Sequence, residues 1–270
     1  MNAARFLRDP LWLIRWMVDL VRDWIERFVG VQGVDRAMAI AAQAYSAFLP
    51  LTIVYASLLP RSENQDFADV LCREFELTGA TAASVRHAFA PATEVESSIT
   101  ALSIVLLLVS TLSFTRGMQR LYEGTFGLKT LGVRNTPRAL LWLAIVGLIA
   151  TLRPIVTAPF HGWLEAAISL GMATTLWLVT PYLLLGRRLT WVRLLPGALL
   201  TAIGMAAVGV WAVIWMPRTI ASSAAQFGII GIGFAILTWF VALAFALVIA
   251  TTGGAAIADR VARGANGRGT

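Results

Sequence analysis

Residues 39–60 read AIAAQAYSAFLPLTIVYASLLP. As a helix rising 1.5 Å per residue, this stretch is about 33 Å long, enough to cross the hydrocarbon core of a bilayer. Yet it carries Gln43, Tyr45, Ser46, Thr52, Tyr55 and Ser57, with Pro50 in the middle. Hydrocarbon offers these polar groups no water, and proline both removes a ladder hydrogen bond and crowds the carbonyl of Ser46. At about 100° per residue, Gln43, Ser46, Ala47, Pro50 and Ser57 share one narrow face, while Tyr45 and Thr52 point elsewhere. Such a face either packs against a neighbouring helix or lines a polar crevice.

The rest of the chain repeats this pattern. Of 270 residues, 58% are hydrophobic and 14% charged, and mean hydropathy is +0.73. A soluble domain carries about 25% charged residues. Here the charges fall in short blocks between continuous apolar runs, which is the layout of a polytopic helical membrane protein rather than a β-barrel. Six transmembrane helices are expected, over 37–60, 97–115, 137–159, 163–185, 194–216 and 228–252. The fold class is therefore all-α membrane protein, divided into a cytoplasmic amphipathic segment 1–36, a membrane domain 37–252 and a flexible cytoplasmic tail 253–270. The outer loop 61–96 is too long for a turn and is expected to hold one or two short helices.

Orientation follows from Lys and Arg. Seventeen lie in residues 1–36, 116–138, 186–193 and the tail, against four in the intervening loops, with Arg153 inside a span. The excess places both termini in the cytoplasm. The N-terminal stretch LWLIRWMVDLVRDWIERF has Ile14, Met17, Val18, Val21, Ile25 and Phe28 at helical spacing, with Trp12, Trp16 and Trp24 among them. It is expected to lie in the membrane interface, or to pack on the cytoplasmic ends of the spans.

Arg153 sits about 9 Å of helix rise from the outer end of its span. A charge at that depth must snorkel, pair or face water. Glu165 follows on the next span after a short turn, so the two are expected to pair or to share a polar pocket. Pro154, Pro159 and Pro181 interrupt the same two spans. Arg116 and Arg120, one turn apart at the cytoplasmic end of the second span, are expected to touch anionic lipid headgroups.

Catalytic chemistry finds little to work with. Cys72 is the single cysteine, and the two histidines, His87 and His161, fall in segments expected outside. Beyond the N-terminal segment the cytoplasmic loops offer Glu123 and Asp259 as acids, so no metal, cofactor or catalytic constellation is expected. FGIIGIGF (227–234) lacks the G-x-G-x-x-G spacing of a dinucleotide site.

Three segments carry a family resemblance: RAMAIAAQAYSAFLPL from Arg36, RGMQRLYEGTFGL from Arg116, and FGIIGIGFAILTWFVALAFAL from Phe227. In their order and spacing they resemble the YihY/BrkB family of bacterial envelope proteins, once labelled ribonuclease BN, over about residues 35–258. Members often end the last span with Gly-Ala-Glu, whereas this chain has Gly254-Ala255-Ala256, so no role of that acid carries over. The resemblance implies a cytoplasmic-membrane protein that supports envelope integrity and moves a lipid or other amphiphile. Its partners would be membrane lipids and envelope proteins rather than nucleic acid. The alternative is a non-transporting scaffold for envelope partners, and ribonuclease activity is disfavoured.

Overall fold

The computed structural model describes residues 12–58, 67–88 and 97–266, with the side chains of Leu49, Ser57 and some others in these ranges outside the described set. Among the described residues every regular element is helical. The helices are α1 (Trp12–Gly30), α2 (Gly33–Leu58), α3 (Phe67–Glu74), α4 (Gly79–Ala88), α5 (Ser97–Thr125), α6 (Thr136–Thr157), α7 (Trp163–Leu184) and α8 (Trp191–Asn266). A 3-10 turn, Gly132–Asn135, leads into α6. Leu102–Thr125, Thr136–Thr157, Trp163–Leu184 and Trp191–Arg263 are each long and apolar enough to cross a membrane.

The last of these is one element in name only. Gly228 breaks it with φ 59 and ψ −137, a conformation that a side chain with a Cβ resists. The two arms then run antiparallel. Gly231 lies against Ser223, Gly204 against Ala246, and Gly197 against Gly254. The break falls where a span boundary was expected, but the helix does not stop at 216. It continues through Pro217 to the break, and the Arg218 guanidinium donates to Ile214 O at 2.7 Å. The tail expected to be flexible from Gly253 is also helical, as far as Asn266. Helix also runs on through Pro50, Pro154 and Pro181.

The chain forms two compact units. The first gathers residues 1–33, 119–202 and 248–270. In it α6 and α7 form an antiparallel hairpin, pinned where Trp142 Nε1 donates to Thr180 Oγ1 at 2.9 Å. Gly186 closes α7 in a left-handed turn (φ 67), with Arg187 N donating to Tyr182 O. The buried Asn135 side chain donates to Leu184 O at 2.7 Å, which satisfies a carbonyl that the helix end would otherwise orphan.

The second unit gathers residues 34–118 and 203–247. The short helices α3 and α4 turn Leu71, Cys72, Phe75 and Val85 inward against Met216, Ile220, Ile232 and Ile236 of both α8 arms. Phe75 meets Trp239 edge-on at 5.1 Å, and Phe48 of α2 meets Phe240 at 5.8 Å. Burial pushes the Cys72 thiol up, so it stays protonated in this core.

Candidate functional site

Gln43 leans onto α5 so closely that a Cβ on Gly117 would collide with its Oε1, an oxygen that is buried with no hydrogen-bond partner among the described residues. Ser46 Oγ turns back and donates to Gln43 O at 3.0 Å. Pro50 is buried. The Ser57 side chain lies outside the described residues. Gln43 thus meets a helix, and Gly117 is what admits it, whereas Ser46 on the same face is exposed. Tyr45, on another face, stacks on Phe48 and stands edge-on to Phe240.

Arg153 and Glu165 are both exposed in the first unit, and among the described residues no ion pair or hydrogen bond joins their side chains. The Arg153 carbonyl accepts from Thr157 Oγ1 at 3.0 Å. Arg116 and Arg120 are each exposed on α5. Among the described residues no group of three or more His, Cys, Asp or Glu could hold a metal ion.

Two residues counted above only as isolated acids turn out to be hubs. Glu123, 2% exposed, accepts three bonds at Oε1: from Gln119 Nε2 (2.8 Å), Leu131 N (2.8 Å) and Arg188 Nη2 (3.3 Å). Arg188 also donates to Lys129 O at 2.7 Å and Leu185 O at 2.8 Å. This knot joins the end of α5 to the loops on either side of the α6–α7 hairpin. Its polarity is compensated bond by bond, as a buried charge requires.

Asp259 is the second hub. It accepts from Arg27 at 2.7 Å and from Arg193 at 2.8 Å. Nearby, Asp23 takes Arg260 and Arg263, each at 2.9 Å. The Arg260 hydrogen bond holds the Asp23 carboxyl below the usual carboxylate range; burial opposes this, and Arg263 adds to it. Arg27 also donates to Thr125 O at 2.8 Å, and Trp24 Nε1 to Thr252 Oγ1 at 3.1 Å. A cleft of about 490 Å³ opens among Arg27, Arg193, Asp259, Ala262 and Arg263.

These bonds decide how α1 is turned. Leu20, Asp23, Trp24, Arg27 and Phe28 are its partly buried face. Ile14, Met17, Val18, Val21, Ile25 and Val29 form a stripe that is 45–67% exposed. A soluble amphipathic helix buries its apolar stripe. Here the stripe faces outward and the packed face carries the ion pairs.

Sequence reading missed this lattice because its members lie up to 240 residues apart. The available signal was a lone acid in each of two arginine-rich segments. No family model, curated protein or solved structure matches the chain.

Proposed function

We propose that the chain crosses the bacterial cytoplasmic membrane six times, with both ends in the cytoplasm, and passes a lipid or other amphiphile in support of the envelope, as the YihY/BrkB resemblance implies. The topology rests on the ion-pair lattice. Residues from α1, the end of α5, the 186–193 loop and the end of α8 bond to one another inside a single unit. Groups that touch lie on one side of a membrane, so each intervening stretch returns to the side it left. Those stretches hold α2 with α5, α6 with α7, and the two arms of α8. At 26 residues, α2 is about 39 Å long and can make its crossing. Three out-and-back pairs give six crossings, and the arginine excess makes the shared side cytoplasmic.

The transport reading rests on Arg153. It is an exposed charge in the apolar stretch of α6 that follows Arg138, beside Pro154, with no side-chain partner among the described residues. Water or a headgroup from outside the chain must solvate it. A passing amphiphile would meet such a charge on entering or leaving the outer leaflet. Purified protein in vesicles doped with fluorescent phospholipid tests this. Lipid is expected to exchange between leaflets faster than in empty vesicles, and Arg153→Ala to slow the exchange by about tenfold, the weight of one charged hydrogen bond. No exchange above empty vesicles for several headgroups overturns the reading. What favours a non-transporting scaffold instead is α2, whose Gln43 meets α5 directly and whose Pro50 is buried.

A further inference from the structure

The ion-pair lattice on the first unit is not electrically closed. Four guanidinium groups, Arg27, Arg193, Arg260 and Arg263, share two carboxylates, Asp23 and Asp259. The Arg22–Glu26 pair beside them on α1 is self-neutralising. Two positive charges are therefore left over, and the cleft of about 490 Å³ opens where three of the four arginines converge. That volume falls in the range of roughly 300–1,000 Å³ used by small-molecule sites.

Donors remain as well as charge. A guanidinium has five N–H groups. Among the described residues Arg193 uses only Nη2, toward Asp259, and its Cζ lies over the Phe126 ring, 5.9 Å from the centroid. Arg263 uses Nε toward Asp259 O at 3.4 Å and Nη2 toward Asp23. Arg27 spends both Nη atoms on protein. Arg193 and Arg263 thus keep N–H groups for a ligand, and the planar fork suits the paired oxygens of a phosphate.

We propose that this cleft binds the phosphate of an anionic amphiphile, with Arg193 and Arg263 as its donors and Asp259 as a built-in competitor that keeps the affinity low. The depth argues for a lipid source. Arg27 sits on the packed face of α1, while the same helix turns its apolar stripe outward, so a stripe resting in the interface holds the cleft at headgroup level. The lipid source rests on the membrane reading above; the phosphate chemistry does not.

The test is binding by purified protein in neutral detergent, with short-chain phosphatidylglycerol, short-chain phosphatidylcholine and inorganic phosphate as probes. Phosphatidylglycerol is expected to bind at least about tenfold more tightly than phosphatidylcholine. Arg193→Gln and Arg263→Gln should each weaken it by about tenfold, the loss of one charged hydrogen bond. Asp259→Asn should tighten it several-fold, because the amide no longer competes for Arg27 and Arg193. A merely structural lattice predicts the opposite sign for Asp259→Asn. Inorganic phosphate that binds and shares the Arg193 dependence assigns the cleft to small anions in general; phosphatidylglycerol alone assigns it to a headgroup. Arg263, 67% exposed, can be replaced with little risk to folding if Arg193→Gln does not fold. Phosphatidylglycerol affinity unchanged within about twofold in a folded arginine variant, or lowered in Asp259→Asn, overturns the proposal. A chain that binds as expected but moves no lipid in vesicles overturns transport and leaves this site standing.

Discussion

Glu123 is an acid in an arginine-rich segment, and its burial makes its partners obligatory. Removing one member of a buried ionic knot strands the others, at about 3–5 kcal/mol. Glu123→Ala is therefore expected to lower stability by about 3 kcal/mol, and Glu123→Gln by less, since the amide oxygen can still accept from Leu131 N–H. Unfolding in mild detergent measures both, and a loss under about 1 kcal/mol for Glu123→Ala contradicts the assignment. Asp23 makes a prediction about pH. Its carboxyl is held below the usual range, so its stabilisation is complete above the unfolded value of about 4 and is lost as pH falls through the lower folded value. The attachment of α1 should hold at pH 6 and loosen below about pH 4. Hydrogen exchange over residues 12–30 reads this, and Asp23→Asn should flatten part of the response. Identical protection at pH 6 and pH 3 in the parent protein, each taken relative to the intrinsic exchange rate at that pH, would contradict it.

At the scale of elements, close approach depends on what a helix lacks. A Cβ on Gly254 would run into the backbone of Gly197 on the opposing arm of α8. Gly254→Leu should cost roughly 1–3 kcal/mol or more by overpacking, whereas a substitution at Gly209, with nothing within 4 Å, should cost far less. Equal thermal stability of the two variants would show that the arms do not meet there. The elements themselves were largely legible in the sequence. Continuous apolar runs gave α5, α6, α7 and the two arms of α8, and Gly228 falls where the last span was expected to begin. The ends were less legible. Residues 217–227 and 253–266 are polar enough to read as loop and tail, yet they are rich in alanine and continue the helices they adjoin. For α1, periodicity revealed the apolar stripe but not which way it faces. That is set by Asp23, Trp24 and Arg27 bonding to residues far along the chain.

At the scale of the whole molecule, the candidate residues separate by what local pattern can reveal. Helical spacing put Gln43, Ser46 and Pro50 on one face, and Gln43 does meet a neighbour, α5. Spacing could not say whether Arg153 and Glu165 meet, because side-chain direction at the end of a hairpin depends on packing, and among the described residues no bond joins them. The lattice around Asp259 and Glu123 was illegible because its partners are distant in sequence, whereas periodicity is a local signal. That lattice is also what the proposed topology rests on, and cysteine accessibility tests it most directly. In a Cys72→Ala background of intact cells, single cysteines at the exposed positions Ala83, His161 and Gln226 should react with a membrane-impermeant maleimide. Cysteines at the exposed positions Glu26, Lys129, Thr190 and Ala262 should react only after the membrane is opened. Labelling of any of the latter four from outside in intact cells would contradict a six-crossing chain whose basic segments meet on the cytoplasmic side.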